Sequence, residues 1–163
     1  MNRFLIHALL WSFLVMVAVA DFAWLVPQLP DRVATHFNAA GVADGWSTRS
    51  GFLTTCVVTL ALTAILIPAL AWGLRFIPPR WINIPNRDYW LAPERSDETR
   101  RVVGDVVGWI GALIFAMLIA LYHLMMRANL SPEPNLGFWP WVVVGANLTL
   151  TLVVLLLTMR RFR

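Results

Sequence analysis

The sequence predicts an all-α integral membrane protein. It has four transmembrane helices, both termini in the cytoplasm and an ordered outer loop between the first two helices. Three observations predict this. Of 163 residues, 59% are hydrophobic and only 13% charged, whereas a soluble domain is typically about a quarter charged. Four apolar runs are each near or above the roughly 20 residues that cross a bilayer core. All thirteen basic residues are arginines, and most sit in the links beside those runs, which points to the membrane surface rather than to nucleic acid.

The spans fall at about 4–25, 52–74, 102–126 and 138–159. They are read as helices because a lone segment satisfies its own backbone in lipid only as a helix. None shows the charged face of a soluble bundle helix. The links are then 26–51, 75–101 and 127–137. Arg3, six arginines of the second link and Arg160, Arg161 and Arg163 make ten on one side, against Arg32, Arg49 and Arg127 on the other. The positive-inside rule puts the richer side, with both termini, in the cytoplasm. Ala18-Val19-Ala20 resembles a signal cleavage site, but the apolar run continues through Phe22 to Val26, so the first helix is expected to be retained. Trp24, Trp72, Trp139 and Trp141 fall at predicted membrane boundaries, where amphipathic rings anchor. Cys56 lies inside a span and has no partner for a disulfide.

The third span repeats small residues every four positions: Gly104, Gly108, Ala112, Ala116 and Ala120. Small residues let a second backbone approach closely, so this stripe is expected to pack inside the bundle or against a second copy of the chain. Thr55, Thr59 and Thr63 form a similar stripe, expected on an inner face of the second span. Pro68 is expected to kink or loosen the end of that span. Asn147 is placed mid-membrane and should face a neighbouring helix. Asp21 is placed within reach of the interface, and Asp105 in the first turn or so of the third helix, where it complements the dipole. His7 and His123 sit near opposite surfaces, and no chain of acids and histidines crosses between them.

The inner link is proline-rich. Pro93 suits the first turn of a helix running on into the third span, with Asp97 and Arg101 spaced to pair. Arg87, Asp88, Tyr89, Trp90 and Arg95 mix arginine with aromatics, suiting lipid headgroups or a cytoplasmic protein partner.

The outer link has more polar residues than a connection between helices needs, and long ordered loops tend to carry function. Gly41 and Gly45 allow tight turns, Asp44-Gly45 is a turn pair, and Ser47 or Thr48 can cap a short helix. His36 and Asp44 are expected to pin the loop to its own backbone, or to serve a ligand. A zinc site needs three or four ligands. His36, Asp31 and Asp44 lack the spacing of a metal motif, and no nucleophile elbow is present. No catalytic residue, metal or cofactor is expected.

Leu29-Pro30-Asp31, Thr35-His36-Phe37-Asn38, Gly41 and Asp44-Gly45-Trp46 resemble the motif of a bacterial domain of unknown function, DUF1648. That domain also forms the N-terminal part of SdpI-type bacteriocin-immunity membrane proteins. The run Pro85 to Arg95 resembles the companion cytoplasmic segment of such proteins. The resemblance covers roughly the first two spans and both long links. It implies a non-enzymatic membrane protein whose outer loop, through Pro30, His36, Phe37, Asn38, Gly41, Asp44 and Trp46, senses or binds an extracellular peptide, and whose inner link meets a cytoplasmic partner. Two alternatives remain at this stage. One is a small transporter or channel component using Asn147, the threonines and Asp21. The other is a metal-dependent enzyme on the outer face.

Overall fold

The structure is a computed structural model that describes residues 3–163. In chain order it contains α1 (Arg3–Leu25), β1 (Arg32–Phe37), β2 (Ala43–Thr48), α2 (Arg49–Gly73), a one-turn α3 (Arg87–Trp90), α4 (Ser96–Ala128) and α5 (Trp139–Arg161). Among the described residues, α1, α2, α4 and α5 are long and apolar enough to cross a membrane. The chain thus has the build of a multi-pass membrane protein. One end of the bundle carries the β-hairpin, the other α3 and the C-terminal residues.

The helix ends have local causes. Thr48 starts α2 by accepting the N–H of Gly51 on its side-chain oxygen (3.1 Å). No separate short helix intervenes. At α4, Pro93 and its neighbours form a turn, and the helix proper starts at Ser96. Asp97 there pairs with Arg100 rather than with Arg101. The 33 residues of α4 extend about 50 Å at ~1.5 Å per residue, well beyond a hydrocarbon core of about 30 Å. Pro68 is accommodated within a continuous α2.

α4 is the central helix: α1, α2 and α5 each pack on it. The small-residue stripe faces inward only in part. Gly104, Gly108 and Ala112 are buried, whereas Ala116 and Ala120 are only half-buried. At 100° per residue, each four-residue step turns ~40°, so the stripe rotates off the core within a few steps. Gly111, Phe115 and Ile119 continue the buried face instead. A Cβ at Gly104 would lie 2.5 Å from the carbonyl oxygen of Ala71, so α2 and α4 meet backbone to backbone there. The threonine stripe faces inward only in part: Thr55 is exposed and Thr59 and Thr63 are half-buried, while Phe52, Cys56 and Leu60 are buried. Thr55 and Thr63 donate to the carbonyls of Gly51 and Thr59 of their own helix. Asn147 does face a neighbour, donating from Nδ2 to the Leu113 carbonyl of α4 (2.7 Å).

Two imidazole–carboxylate contacts tie α1 to α4. Near the hairpin end, His123 Nδ1 lies 2.7 Å from Asp21 Oδ1. Near the other end, His7 Nε2 lies 3.7 Å from Asp105 Oδ1, and Arg3 reaches Asp105 Oδ2 at 3.3 Å. Asp21 is thus paired with a side chain of a neighbouring helix. Asp105 lies well inside α4, so its partners are side chains and not the helix terminus. Between the two contacts Trp11, Leu60, Ala112, Phe115 and Ile119 form a continuous apolar cluster.

The inner link folds back on the chain. Trp90 Nε1 donates to the Phe162 carbonyl (3.0 Å), and Asn86 Nδ2 donates to the Arg163 carbonyl (2.9 Å). Phe162 is buried edge-on against the Trp90 ring. Trp90, expected as a headgroup or partner contact, is therefore occupied from within. Arg95 stacks over Tyr89 with its guanidinium carbon 4.0 Å from the ring centre. Arg87 and Asp88 remain exposed.

Candidate functional site: the β-hairpin

The segment between α1 and α2 is an antiparallel hairpin, where the sequence suggested an ordered loop without strands in an all-α chain. Arg32 pairs with Thr48, Val33 with Ser47 and Ala34 with Trp46. The register then slips so that His36 faces Gly45 and Phe37 faces Ala43. A Cβ at Gly45 would stand 2.8 Å from the His36 Cβ, so a glycine is what lets His36 close over this strand. Asp44-Gly45, suited to a turn, lies inside β2. The actual turn is Asn38 to Val42. Asn38 accepts the N–H groups of Ala40 and Val42 on its Oδ1, at 2.9 and 3.1 Å. This Asx-type geometry mimics a backbone turn.

Gly41 serves the turn in two ways. It adopts φ +78°, and a Cβ there would lie 2.6 Å from both the nitrogen and the oxygen of Gly137. The Leu136 N–H donates to the Gly41 carbonyl (2.9 Å), and Val42 bridges to Asn135. The turn is thereby seated on the link between α4 and α5. Gly137 is also left-handed (φ +56°), but a Cβ there meets open space. Gly41→Ala should therefore lower the melting temperature of the purified protein more than Gly137→Ala. Both pay the left-handed cost of about 1–2 kcal/mol, but only the first adds a clash with backbone. Equal melting temperatures would rule out a tight seat.

The root of the hairpin is clasped by Arg49. Its Nη1 donates to the Leu29 carbonyl (2.9 Å) and its Nη2 to Asp31 (3.0 Å), while its own N–H donates to the Asp31 carbonyl (2.8 Å). This explains Leu29-Pro30-Asp31. Leu29 is buried with Leu25, Val33, Phe52, Cys56 and Met126 in a second core, Asp31 receives the arginine, and Pro30 is exposed between them.

A further attachment lies at Asn129, only 3% exposed just past α4. Its Oδ1 accepts from the Ala34 N–H (2.6 Å), and its Nδ2 donates to the Ala34 carbonyl (3.0 Å) and to that of Met125 (2.9 Å). The side-chain amide pairs with β1 as a third strand would. Sequence reasoning singled out neither Arg49 nor Asn129. Arg49 offered a signal in its charge beside the helix start, eighteen residues from Asp31. Asn129 offered none.

One face of the hairpin is thus used up by the bundle; the other is open. Along β2, Asp44, Trp46 and Thr48 are exposed, and Arg32 and His36 of β1 join them. His36 Nδ1 lies 2.5 Å from Asp44 Oδ1, and the His36 side chain is 74% exposed. These two residues bind each other, where the sequence suggested that each would bind backbone. The guanidinium carbon of Arg32 lies 5.2 Å from the centre of the Trp46 ring, within cation–π range. Trp46 itself is 43% exposed. Phe37 is half-buried beneath.

No curated protein and no solved structure matches this chain. The family model that does match is described as a domain of unknown function, DUF1648, and it covers residues 11–60. That range takes in most of α1, the whole hairpin with its Arg49 clasp, and the first half of α2. Residues 11–60 are thus similar to DUF1648, and the centre of the matched range is the seated hairpin and its open face.

Proposed function

We propose that this protein is a non-enzymatic receptor-like membrane protein that recognises a peptide through the open face of its hairpin. It would lie in the plasma membrane with both termini in the cytoplasm and the hairpin outside, as the arginine distribution favours. The observation that carries the reading is the division of labour within the hairpin. Leu29, Asp31, Asn38, Gly41 and Arg49 hold it in place, whereas Arg32, His36, Asp44 and Trp46 are exposed, and among the described residues their side-chain partners lie within the hairpin itself. A rigid platform with an exposed tryptophan, a cation and an imidazole–carboxylate pair offers the anchor and polar rim typical of recognition surfaces. The resemblance to SdpI-type proteins supports immunity or envelope sensing as the setting. At the opposite end, exposed Arg87 and Asp88 beside stacked Tyr89 and Arg95 offer a contact surface for a cytoplasmic partner.

The test is a His36→Ala/Trp46→Ala double variant. It is expected to insert and melt as the parent does, since neither side chain holds the hairpin on the bundle. Cells relying on it should lose protection when challenged with membrane-active peptides. A double variant that folds normally and protects as well as the parent would overturn the proposal.

A further inference from the structure

We propose that the seam between α1 and α2, at the end of the bundle away from the hairpin, binds one anionic phospholipid with its phosphate on Arg75. α1 and α2 each pack on α4 but hardly on each other, which leaves a seam open along the pair. At its mouth is a cavity of about 730 Å³ whose lining includes Arg3, Arg75, Arg100 and Arg101, with Trp72 and Phe76. Three acids line it as well, and each already has a cation. Asp97 holds Arg100, Glu98 holds Arg161, and Asp105 holds Arg3 with His7 alongside. The side chains of Arg75 and Arg101 have no hydrogen bond or ion pair among the described residues, and the Arg75 Nε is buried without a partner. A half-buried guanidinium without a counter-ion is costly to keep. Its planar donors match a phosphate. The mouth therefore has cations to spare for one anion.

The shape of the seam identifies that anion as a lipid. A second cavity of about 250 Å³ opens from the first, sharing Phe4, Trp72, Arg75 and Asp105, and runs inward past Ala8, Trp11 and Pro68. Farther along the same helix pair, a cleft of about 310 Å³ is lined by apolar residues including Ala18, Phe22, Leu60 and Ala64. A free phosphate would use the mouth alone. A phospholipid places its phosphodiester at Arg75 and an acyl chain along the alanines. Trp72, 56% exposed, stands at the mouth, where aromatic rings favour the headgroup level. Arg101 at the same mouth disfavours a headgroup that carries its own ammonium. An anionic headgroup such as phosphatidylglycerol fits, and phosphatidylcholine does not. The site lies at the opposite end of the molecule from the hairpin and does not rest on the recognition role proposed above.

The test is lipid retention by the full chain, extracted from vesicles of equal parts phosphatidylglycerol and phosphatidylcholine and weighed by native mass spectrometry. The parent is expected to retain one phosphatidylglycerol in preference to phosphatidylcholine. Arg75→Gln should reduce that retention about tenfold or more, the scale of a lost hydrogen bond to a charged group, with the helical circular dichroism spectrum unchanged. Ala8→Phe, which fills the seam while keeping the Arg75 guanidinium, should reduce it likewise. Inorganic phosphate added to detergent-solubilised protein should leave the melting temperature unmoved. Equal retention of the two lipids by the parent, or undiminished retention by folded Arg75→Gln, would overturn the proposal. Stabilisation by inorganic phosphate that survives Ala8→Phe would overturn the lipid assignment in favour of a free anion.

Discussion

Replacing Asn129 with alanine is expected to detach the hairpin from the bundle while the four long helices stay in place. The Ala34 N–H and carbonyl are both satisfied by the Asn129 amide, and Val33 and Ala34 are wholly buried. Water therefore cannot take over those bonds without the strand lifting off. Each buried polar group left unpaired costs about 1–3 kcal/mol, so the pair is expected to cost about 2–6 kcal/mol. Asn129→Asp should not rescue the strand. Its carboxylate can still accept from Ala34 but cannot donate to the Ala34 and Met125 carbonyls, and it would be a buried charge beside two acceptors. Hydrogen exchange gives the direct reading: β1 amides should lose protection, while those in the middle of α4 keep theirs. Asn147→Leu is the contrast. Its partner is a carbonyl within α4 that the helix also supplies with a donor, so its effect should be well below that of Asn129→Ala. Unchanged β1 protection in Asn129→Ala would show that the hairpin is held by its apolar underside alone.

The second large effect is expected at Gly104. An added methyl would meet the Ala71 carbonyl at 2.5 Å, and backbone cannot step aside as a side chain can. Gly104→Ala should push α2 from α4 and destabilise by about 1–3 kcal/mol, the usual scale of overpacking. At Gly108 the new methyl meets the His7 ring at 2.9 Å, and at Gly145 it meets nothing within 4 Å. Gly108→Ala should therefore be milder, because the ring can shift. Gly145→Ala should be neutral or stabilising by up to ~1 kcal/mol through helix propensity. The three melting temperatures, measured in one detergent, test the ordering. Gly104→Ala melting at or above the parent would show that α2 and α4 are less closely apposed than described.

The four helices were legible in the sequence because length and apolarity suffice to define them in lipid. The described ends of α1 and α5 lie within two residues of the expected ones at every boundary. Their inner faces were harder to read. An exact four-residue repeat looks like a stripe on paper, but it rotates, so Ala116 and Ala120 leave the core and Phe115 and Ile119 enter it. Bulky residues on a helix that is apolar all round give no sign of which side faces protein. The hairpin was missed because Val33-Ala34-Thr35-His36-Phe37 is short and interrupted by a slip in register, and because Asp44-Gly45 usually marks a turn. His36 and Asp44 were singled out without the recognition that they meet each other. That contact follows from the hairpin register, whereas the Asn129 clamp and the Asp21–His123 pair depend on how distant segments come together. Asp21 and His123 are 102 residues apart, and nothing local announces such a pairing.

The two imidazole–carboxylate contacts have opposite polarity: α1 supplies the histidine at one end and the acid at the other, and α4 does the reverse. The two helices run in the same direction. Two copies of α1 aligned in parallel would oppose histidine to histidine and acid to acid, and two copies of α4 would do the same. Sliding α1 past α4 by one helical turn, about 5.4 Å, would break both contacts at once. The arrangement thus works as a two-tooth key. It favours the pairing of α1 with α4 over self-pairing of either, and it fixes their axial alignment while the apolar faces around it would accept many partners.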